Sequence, residues 1–186
     1  GSWCTVPVKV FAAMTDGPYL HIGGDECLRT SEQDFLTFIA RATTIAADTG
    51  KRVIGWHEMG RSAQLPQGTI GQYWNLTTPE AGHAQHVLSF VRQGGAVILS
   101  PGDVAYLDHK YHADYDLGLT WAQGPTTLAA SYSWEPTAII PGLPDEAILG
   151  LEAPIFTETV TTLADPRRLA LPRLAASAES AWPARH

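Results

Sequence analysis

The chain is poor in cysteine and in positive charge and has no long apolar run, and each shortage excludes a class of protein. Only two of its 186 residues are cysteines, Cys4 and Cys27, and their spacing matches no metal-binding motif. They are consistent with one disulfide or with two free, buried thiols, so they leave the redox compartment open. No segment approaches the roughly 18 consecutive apolar residues of a membrane-spanning helix, so we expect no membrane partner.

The scarcity of positive charge also argues against nucleic acid as a partner. Twelve lysines and arginines stand against nineteen aspartates and glutamates, which gives a formal net charge of −7 at pH 7. An acidic surface repels phosphate backbones. Six tryptophans and six tyrosines, by contrast, exceed what a minimal core needs, and such flat rings are typical of sugar-binding clefts. The cellular location stays undecided, with secretion or the periplasm favoured over the cytoplasm.

The most informative stretch is Tyr-Leu-His-Ile-Gly-Gly-Asp-Glu at residues 19–26. Its apolar part predicts a short buried strand ending at Ile22, and the two glycines allow a sharp bend and close packing. Asp25 and Glu26 then follow, and an extended backbone would point them in opposite directions. Adjacent carboxyls repel, so we expect one to stay protonated at neutral pH. An acid beside an anion suits glycoside chemistry; the alternative is a loop whose acids simply face water.

Further apolar and periodic segments predict alternating strands and helices. Strands are predicted within residues 51–58, which include the loop after the strand, and at 69–75, 96–100 and 147–153, besides the one before Asp25. Residues 8–14 are predicted to be the end of a helix. Further helices are predicted from Ser31 to Gly50, from Thr78 to Arg92, and from Arg167 to Trp182 with a restart after Pro172. Residues 2–7, 101–111 and 112–136 are predicted loops. Buried strands alternating with helices indicate an α/β fold with a parallel sheet.

The run His-Ile-Gly-Gly-Asp-Glu at residues 21–26 resembles the signature of glycoside hydrolase family 20, the β-N-acetylhexosaminidases. Enzymes of that family are (β/α)8 TIM barrels. The resemblance implies that residues 1–186 form a single partial catalytic barrel domain supplying about strands 4–8, with the N-terminal part of the barrel absent. It further implies an exo-acting hydrolase that releases terminal N-acetylglucosamine or N-acetylgalactosamine from glycosides or chitooligosaccharides, without a cofactor or metal.

The resemblance assigns the catalytic roles to Asp25 and Glu26. In that family the 2-acetamido oxygen of the substrate attacks the anomeric carbon and gives an oxazolinium-like intermediate with retention, an exception to the two-carboxylate scheme. Asp25 would orient the acetamido group, and Glu26 would act as acid and then as base. His21 would support the pair; the alternative for His21 and His57 is a hydrogen-bonded core histidine. A metal site made by His21, Asp25, His57 and Glu58 is a further alternative.

Aromatic residues after the strands match substrate-binding positions of the family. Trp56 and Trp74 would wall the pocket for the acetamido methyl and the sugar ring, although strand-end tryptophans also serve as lids of a core. In Ser-Pro-Gly-Asp-Val-Ala-Tyr-Leu-Asp at residues 100–108, Tyr106 would donate to the acetamido oxygen and Asp108 would accept from sugar hydroxyls. Trp121, in the long loop, would contact the sugar or the leaving group.

The segment after the last predicted strand departs from the family pattern at one position. Glu-Ala-Pro-Ile-Phe-Thr-Glu at residues 152–158 has Phe156 where the family usually has tryptophan, and phenylalanine lacks the indole N–H and some stacking area. Weaker sugar binding is therefore expected at Phe156. Glu158 matches the residue that binds outer hydroxyls, whereas Glu152 is assigned a structural role.

Two family features have no counterpart in the chain: the arginine of the first strand and the His–Asp pair that supports the acid. A different class of function is therefore an alternative, namely a non-catalytic sugar-binding or remnant half-barrel. Five strands without the first three would leave open edges at the strand of Leu20 and the strand of Ile148. Open edges favour pairing with another chain, so we expect a dimer or a complementing N-terminal fragment.

Overall fold

The structure, a computed structural model, describes residues 5–182 of the chain. Its α-helices are α1 (Thr5–Ala13), α2 (Glu32–Ala47), α3 (His83–Arg92), α4 (Leu128–Tyr132), α5 (Asp165–Ala170) and α6 (Arg173–Ala181). Its strands are β1 (Tyr19–His21), β2 (Arg52–Trp56), β3 (Ile70–Tyr73), β4 (Ala96–Leu99) and β5 (Ile148–Leu151), and short 3₁₀ turns cover His57–Arg61, Pro136–Ala138 and Asp145–Ala147. All five predicted strands are present, each within a residue or a few of its predicted bounds.

The strands form one sheet in the order β1-β2-β3-β4-β5. Strand β1 is parallel to β2, with His21 opposite Ile54, and β2 is parallel to β3, with Ile54 opposite Ile70. Since the spatial order follows the chain order, β1 and β5 lie at the two edges of the sheet, where the sequence predicted them. The C-terminal ends of parallel strands lie at the same end of the sheet. The loops that follow them there carry the functional residues of α/β proteins.

The described residues divide into two compact units. The first comprises residues 5–73, 81–98 and 142–149, and the second comprises 74–80, 99–141 and 150–182. In the core of the first unit, one face of α2 packs against β2 and α3. Its buried members are Phe35, Ile39, Ala46, Val53, Met59, Leu65 and Phe90.

Helix α2 begins as its sequence predicts. The Ser31 hydroxyl accepts from the backbone N–H of Asp34, which satisfies one of the amides that a helix start leaves open. Phe35, Ile39 and Ala46 then recur at helical spacing on the buried face. That face is the reason why α2 covers the sheet.

In the second unit, the two C-terminal helices anchor the loop that leaves β4. The hydroxyl of Tyr111 donates to the carbonyl oxygens of Leu169 at 3.0 Å and Leu171 at 2.8 Å, at the end of α5. Helix α6 restarts at Arg173, directly after Pro172 as predicted, and Arg173 is fully buried. The loop is thus tied to the helices at its far end as well as to β4.

Several helix predictions need correction. Residues 5–7 are helical rather than a loop, and residues 2–4 lie outside the described residues. The predicted helix start at Thr78 is wrong: α3 begins only at His83, because Gly82 has a left-handed backbone (φ +92°) that interrupts a helix. The last helix pair begins at Asp165, earlier than predicted. Helix α4 lies within the stretch 112–136 that was predicted as a loop.

The prediction that β1 is buried is also wrong. Tyr19 is 49% exposed and His21 is exposed, because β1 is an edge strand with a neighbour on one side only. Cys27 is a free and exposed thiol rather than a buried one, and Cys4 lies outside the described residues. Among residues 5–182, the structure contains no helix with the length and apolarity required to cross a bilayer.

Candidate active site

In the first unit, backbone pairing between the ends of β1 and β2 brings His21 next to Trp56. The N–H of Ile22 donates to the Ile54 carbonyl at 3.0 Å, and the N–H of Trp56 donates to the Gly23 carbonyl at 2.9 Å. The rings of His21 and Trp56 meet edge to face with centroids 4.7 Å apart. The backbone hydrogen bonding between the two strands therefore continues past the end of β1 and fixes the Gly-Gly bend beside Trp56.

The glycine bend is shaped by Met59, a fully buried side chain. A Cβ atom on Gly24 would lie 2.5 Å from the Met59 Cγ, and one on Gly55 would overlap the Met59 sulfur. Gly23 and Gly24 both have positive φ angles, +75° and +101°, which side chains rarely tolerate. Glycine is thus required at Gly23 by backbone conformation, at Gly55 by the space that Met59 occupies, and at Gly24 by both.

Asp25 and Glu26 follow the bend, and both are exposed. The expectation of an extended backbone is wrong for this pair, because Glu26 has φ +43° and its carbonyl accepts from the Leu28 N–H at 2.7 Å in a tight turn. A left-handed backbone at a residue other than glycine is uncommon and costs about 1–3 kcal/mol. Such outliers are more frequent at functional sites than elsewhere.

His21 is not the core spacer that one interpretation of the sequence gave it. It is exposed, and its Nδ1 accepts from the backbone N–H of Gly23 at 3.1 Å. The imidazole thus contacts the bend that leads to Asp25. His57, in contrast, is completely buried, which agrees with the core interpretation. Burial and then the neighbouring His83 and His86 lower the pKa of His57 to about 3, so His57 is neutral at pH 7.

The metal alternative at His21, Asp25, His57 and Glu58 finds no geometric support. Within residues 5–182, no group of three or more histidine, cysteine, aspartate or glutamate side chains is arranged to hold a metal ion. The Nδ1 of His57 lies 3.4 Å from the Glu58 carboxylate. Since the His57 imidazole is neutral at pH 7, this contact is not an ion pair there.

In the second unit, an aromatic cluster brings together four predicted site residues: Trp74, Tyr106, Trp121 and Phe156. Trp121 meets Trp74 and Tyr106 edge to face, with centroids 5.8 and 5.4 Å apart, and Tyr106 lies 5.4 Å from Phe156. Trp121 and Phe156 are 46% and 41% exposed, whereas Tyr106 is only 5% exposed. The cluster therefore presents two open aromatic faces flanking a nearly buried phenol.

Gly102 allows this cluster to form. Its N–H donates to the carbonyl oxygens of Trp74 at 3.0 Å and Asn75 at 2.9 Å, so the segments after β3 and β4 are joined there. A Cβ atom at this position would lie 2.5 Å from Cη2 of Trp121. The space needed by the Trp121 ring is thus one reason for glycine at position 102.

Asp108 is the most perturbed carboxyl of the second unit. It is 1% exposed, and neither carboxyl oxygen has a hydrogen bond of good geometry among the described residues. Burial, followed by the charge of Glu158, raises the pKa of Asp108 to about 6, while backbone N–H dipoles and the charge of Arg173 act in the opposite direction. The structure therefore brings Glu158 close enough to Asp108 for its charge to act on the Asp108 carboxyl.

Sequence reasoning missed Arg173 and His109, which pack against the Tyr106–Asp108 segment. His109 lies 5.1 Å from Trp121 by ring centroids, and burial followed by Arg173 lowers its pKa to about 4. Arg173 donates to the backbone on both sides of Asp108. One signal was available in the sequence: an arginine at the first position of a helix opposes the helix dipole and so requires a reason.

The chain matches the family model "Glycosyl hydrolase family 20, catalytic domain" over residues 28–185. The His21–Glu26 segment lies just before the matched region. A β-N-acetylhexosaminidase of Cellulomonas fimi is 44% identical over 173 residues, which cover 93% of this chain and 34% of that protein. The chain thus spans about a third of the length of this relative.

Solved structures of β-N-acetylhexosaminidases are also similar to this chain. The GH20 β-N-acetylhexosaminidase from Streptomyces coelicolor A3(2) matches with a TM-score of 0.91 and 42% identity, over 98% of this chain and 37% of that one. The Streptomyces plicatus N-acetyl-β-hexosaminidase in complex with Thio-NAglucal matches with a TM-score of 0.92 and 40% identity, over 99% and 37%. These likenesses confirm the predicted fold class, a partial TIM barrel.

Proposed function

Because this chain belongs to glycosyl hydrolase family 20, we propose that it carries the catalytic pair of an exo-acting β-N-acetylhexosaminidase. The observation that carries the proposal is the position of Asp25 and Glu26. Both are exposed, both follow a parallel strand at its C-terminal end, and Glu26 has an unusual left-handed backbone. Exposed acids on a rigidly held turn are accessible to a substrate and can be oriented for catalysis.

The proposed reaction uses the acetamido group of the substrate as the nucleophile. As the bond from C1 to the glycosidic oxygen breaks, the acetamido oxygen bonds to C1 and the Glu26 carboxyl donates its proton to the leaving oxygen. The Asp25 carboxylate accepts from the acetamido N–H and stabilises the positive charge of the oxazolinium ring. Water then attacks C1 as the bond from C1 to the acetamido oxygen breaks, which regenerates the acetamido group, and Glu26, now a carboxylate, takes the proton of that water. Two displacements at C1 retain the β configuration.

His21 and Trp56 would support this chemistry from the first unit. The Nδ1 of His21 holds the Gly23 amide at 3.1 Å, and the Trp56 backbone holds the Gly23 carbonyl at 2.9 Å. Together they restrain the bend before Asp25. The indole of Trp56 would also face the acetamido methyl, in the role that the family resemblance gives it.

In the second unit, the proposed roles follow the sequence assignment. Trp74, Trp121 and Phe156 would contact the sugar through their rings, and the 46% and 41% exposure of the last two supports that role. The Tyr106 hydroxyl would donate to the acetamido oxygen. Asp108 and Glu158 would accept from sugar hydroxyls, and the effect of the Glu158 charge on the Asp108 carboxyl supports their lying near each other.

The proposed substrates are glycosides or chitooligosaccharides with a terminal N-acetylglucosamine or N-acetylgalactosamine. The names of the Cellulomonas fimi relative and of the Streptomyces coelicolor enzyme, both β-N-acetylhexosaminidases, support this substrate class. The reaction needs no cofactor, because the substrate supplies the nucleophile and Glu26 supplies the proton.

A partner is proposed for the open edges of the sheet. Strand β1 is an edge strand, and Val10 and Phe11 of α1 and Met14 just after it are exposed. An unpaired strand edge and exposed apolar side chains each favour association. We therefore expect residues 1–186 alone to dimerise or to bind an N-terminal barrel fragment, and sedimentation analysis of the isolated chain tests this expectation. An active monomer at low micromolar concentration would contradict it.

The experiment that tests the proposed function compares two proteins. The first is the isolated chain, and the second is the grafted enzyme, which is the Cellulomonas fimi protein with its matching region replaced by this chain. We expect the grafted enzyme to hydrolyse p-nitrophenyl N-acetyl-β-glucosaminide or galactosaminide, and its Glu26→Gln variant to be impaired. A folded graft that binds N-acetylglucosamine without hydrolysis would instead support a non-catalytic sugar-binding protein.

A further inference from the structure

Arg173 is a fully buried cation at the first residue of α6. This placement is locally unfavourable for two reasons. A positive charge opposes the dipole at a helix N-terminus, and removing a guanidinium from water costs several kcal/mol unless its donors are satisfied. Residues that violate local preferences are expected where they serve a site. The partners of Arg173 show which site that is.

The guanidinium of Arg173 donates to backbone carbonyl groups from three separate segments. Its Nη2 donates to Leu107 at 2.6 Å, to His109 at 2.7 Å and to Leu169 at 3.0 Å. Its Nη1 donates to Thr126 at 3.1 Å. The planar group also lies 3.9 Å above the ring of Tyr111. A lysine has no fork of fixed donors that could span these acceptors.

Two of these acceptors are the carbonyls immediately before and after Asp108. The carbonyl of Asp108 itself accepts from the Leu119 N–H at 2.8 Å. Close approach on that side requires Gly118 (φ +101°), where a Cβ atom would lie 2.8 Å from the Asp108 oxygen. Three consecutive peptide groups are thus fixed, two by Arg173 and one by the Leu119 segment.

We propose that Arg173 is a positioning residue, whose buried guanidinium fixes the backbone on both sides of Asp108 and thereby orients Asp108 and Tyr106 toward the sugar. The inference rests on the proposed function, in which both side chains bind substrate. Arg173 itself touches no substrate. Its effect passes through the peptide groups of Leu107 and His109.

The charge of Arg173 gives this arrangement a second consequence. The groups that face Asp108 are Glu158, Arg173 and the neighbouring His109, whose pKa of about 4 leaves it neutral at pH 7. Glu158 raises the pKa of Asp108, and Arg173 lowers it. The guanidinium keeps its charge at neutral pH. Arg173 therefore helps to keep Asp108 ionised and able to accept from sugar hydroxyls at neutral pH.

Two substitutions separate geometry from charge. Arg173→Gln removes the charge and the fork, so the pKa of Asp108 should rise further above about 6. Arg173→Lys keeps the charge but not the fork, so the pKa of Asp108 should return toward that of the parent while KM stays raised. We expect KM to rise at least about tenfold in both variants, the scale of one lost charge-assisted hydrogen bond, with a smaller change in kcat.

The measurements are the ¹³C-NMR titration of the Asp108 carboxyl in the 186-residue chain, in the oligomeric state that it adopts, and the KM and kcat of the grafted enzyme. Tyr111→Phe is the matched control. It removes the hydrogen bonds to Leu169 and Leu171 but leaves a ring beneath Arg173. This control should destabilise the protein without moving the Asp108 titration.

A measurement on the unsubstituted protein keeps the test decisive if a variant does not fold. The ¹⁵N signals of the Arg173 guanidinium should shift with a midpoint near the Asp108 pKa of about 6. The inference is overturned if these signals do not follow the Asp108 titration. It is also overturned if folded Arg173 variants keep the parental KM. An inactive grafted parent with intact Arg173–Asp108 coupling would instead reject the proposed function alone.

Discussion

The backbone N–H of Trp56 donates to the carbonyl oxygen of Gly23 at 2.9 Å. This bond extends the parallel pairing of β1 and β2 by two residues beyond His21, the last residue of β1. The Gly-Gly bend is therefore fixed to the sheet, and the turn with Asp25 and Glu26 leaves from an anchored point. Anchoring matters because catalysis is sensitive to displacements of about 1 Å.

Glu26→Gln should lower kcat far more than it raises KM, because proton donation matters only as the glycosidic bond breaks. General acid catalysis contributes about 10²–10⁴-fold, so a loss of that size is expected with chitobiose. A p-nitrophenyl glycoside needs less protonation and should lose less. Steady-state kinetics of the grafted enzyme check this, with the exposed Glu146→Gln as control. Equal losses on both substrates would show that Glu26 is not the acid.

Phe156→Trp should tighten sugar binding. Phe156 is 41% exposed and contacts Tyr106 at its edge of the aromatic cluster, so the larger indole has room and adds stacking area worth about 0.5–1.5 kcal/mol. Titration calorimetry with N-acetylglucosamine measures the gain, with Phe38→Trp, on the exposed face of α2, as control. Unchanged affinity together with a loss of about 1–3 kcal/mol of stability would identify an overpacked core position instead.

Gly102→Ala should displace Trp121, because the new methyl group would lie 2.5 Å from the indole. Overpacking of this kind costs about 1–3 kcal/mol of unfolding free energy, and sugar binding should weaken as the aromatic cluster shifts. Thermal melts and tryptophan fluorescence provide the measurement. Gly17→Ala is the matched control, since nothing lies within 4 Å of a Cβ atom there. A parental melting temperature and spectrum for Gly102→Ala would contradict the packing described.

Asp108 should make the stability of the protein depend on pH. Its pKa is raised from 3.8 to about 6 on folding, so the folded state binds more protons than the unfolded state between these values. The contribution of Asp108 to unfolding free energy therefore falls as pH rises from about 4 to about 6. Asp108→Asn lacks this dependence. Denaturation of both proteins across that range gives the difference, and a difference that is constant with pH would refute the raised pKa.

Strand positions and the start of α2 could be predicted from sequence because their signals are local. Apolar runs bounded by turn residues predicted β2, β3 and β4, and Ser31 with Asp34 predicted the helix cap that the structure contains. The start of α3 was predicted too early because the opening Thr78-Pro79-Glu80 resembles a helix start. The left-handed backbone of Gly82 prevents the helix from starting before His83.

Contacts between distant residues could not be predicted in the same way. The exposure of β1 depends on its place at the edge of the sheet, which its own apolar residues do not reveal. Arg173 donates to carbonyls 47 to 66 residues away in the chain, and no local pattern indicates such partners. The aromatic cluster was predicted as a set of residues by family resemblance, but the requirement for Gly102 beneath Trp121 appears only in the packing.

Fluorination of the substrate's acetamido group tests whether its oxygen is the nucleophile beside Asp25. Fluorine withdraws electron density from the carbonyl oxygen and so weakens it as a nucleophile. The measurement is kcat/KM of the grafted enzyme for p-nitrophenyl glycosides with acetamido, fluoroacetamido, difluoroacetamido and trifluoroacetamido groups. We expect kcat/KM to fall steadily along the series and to fall further with Asp25→Asn; a rate independent of fluorination would contradict substrate assistance.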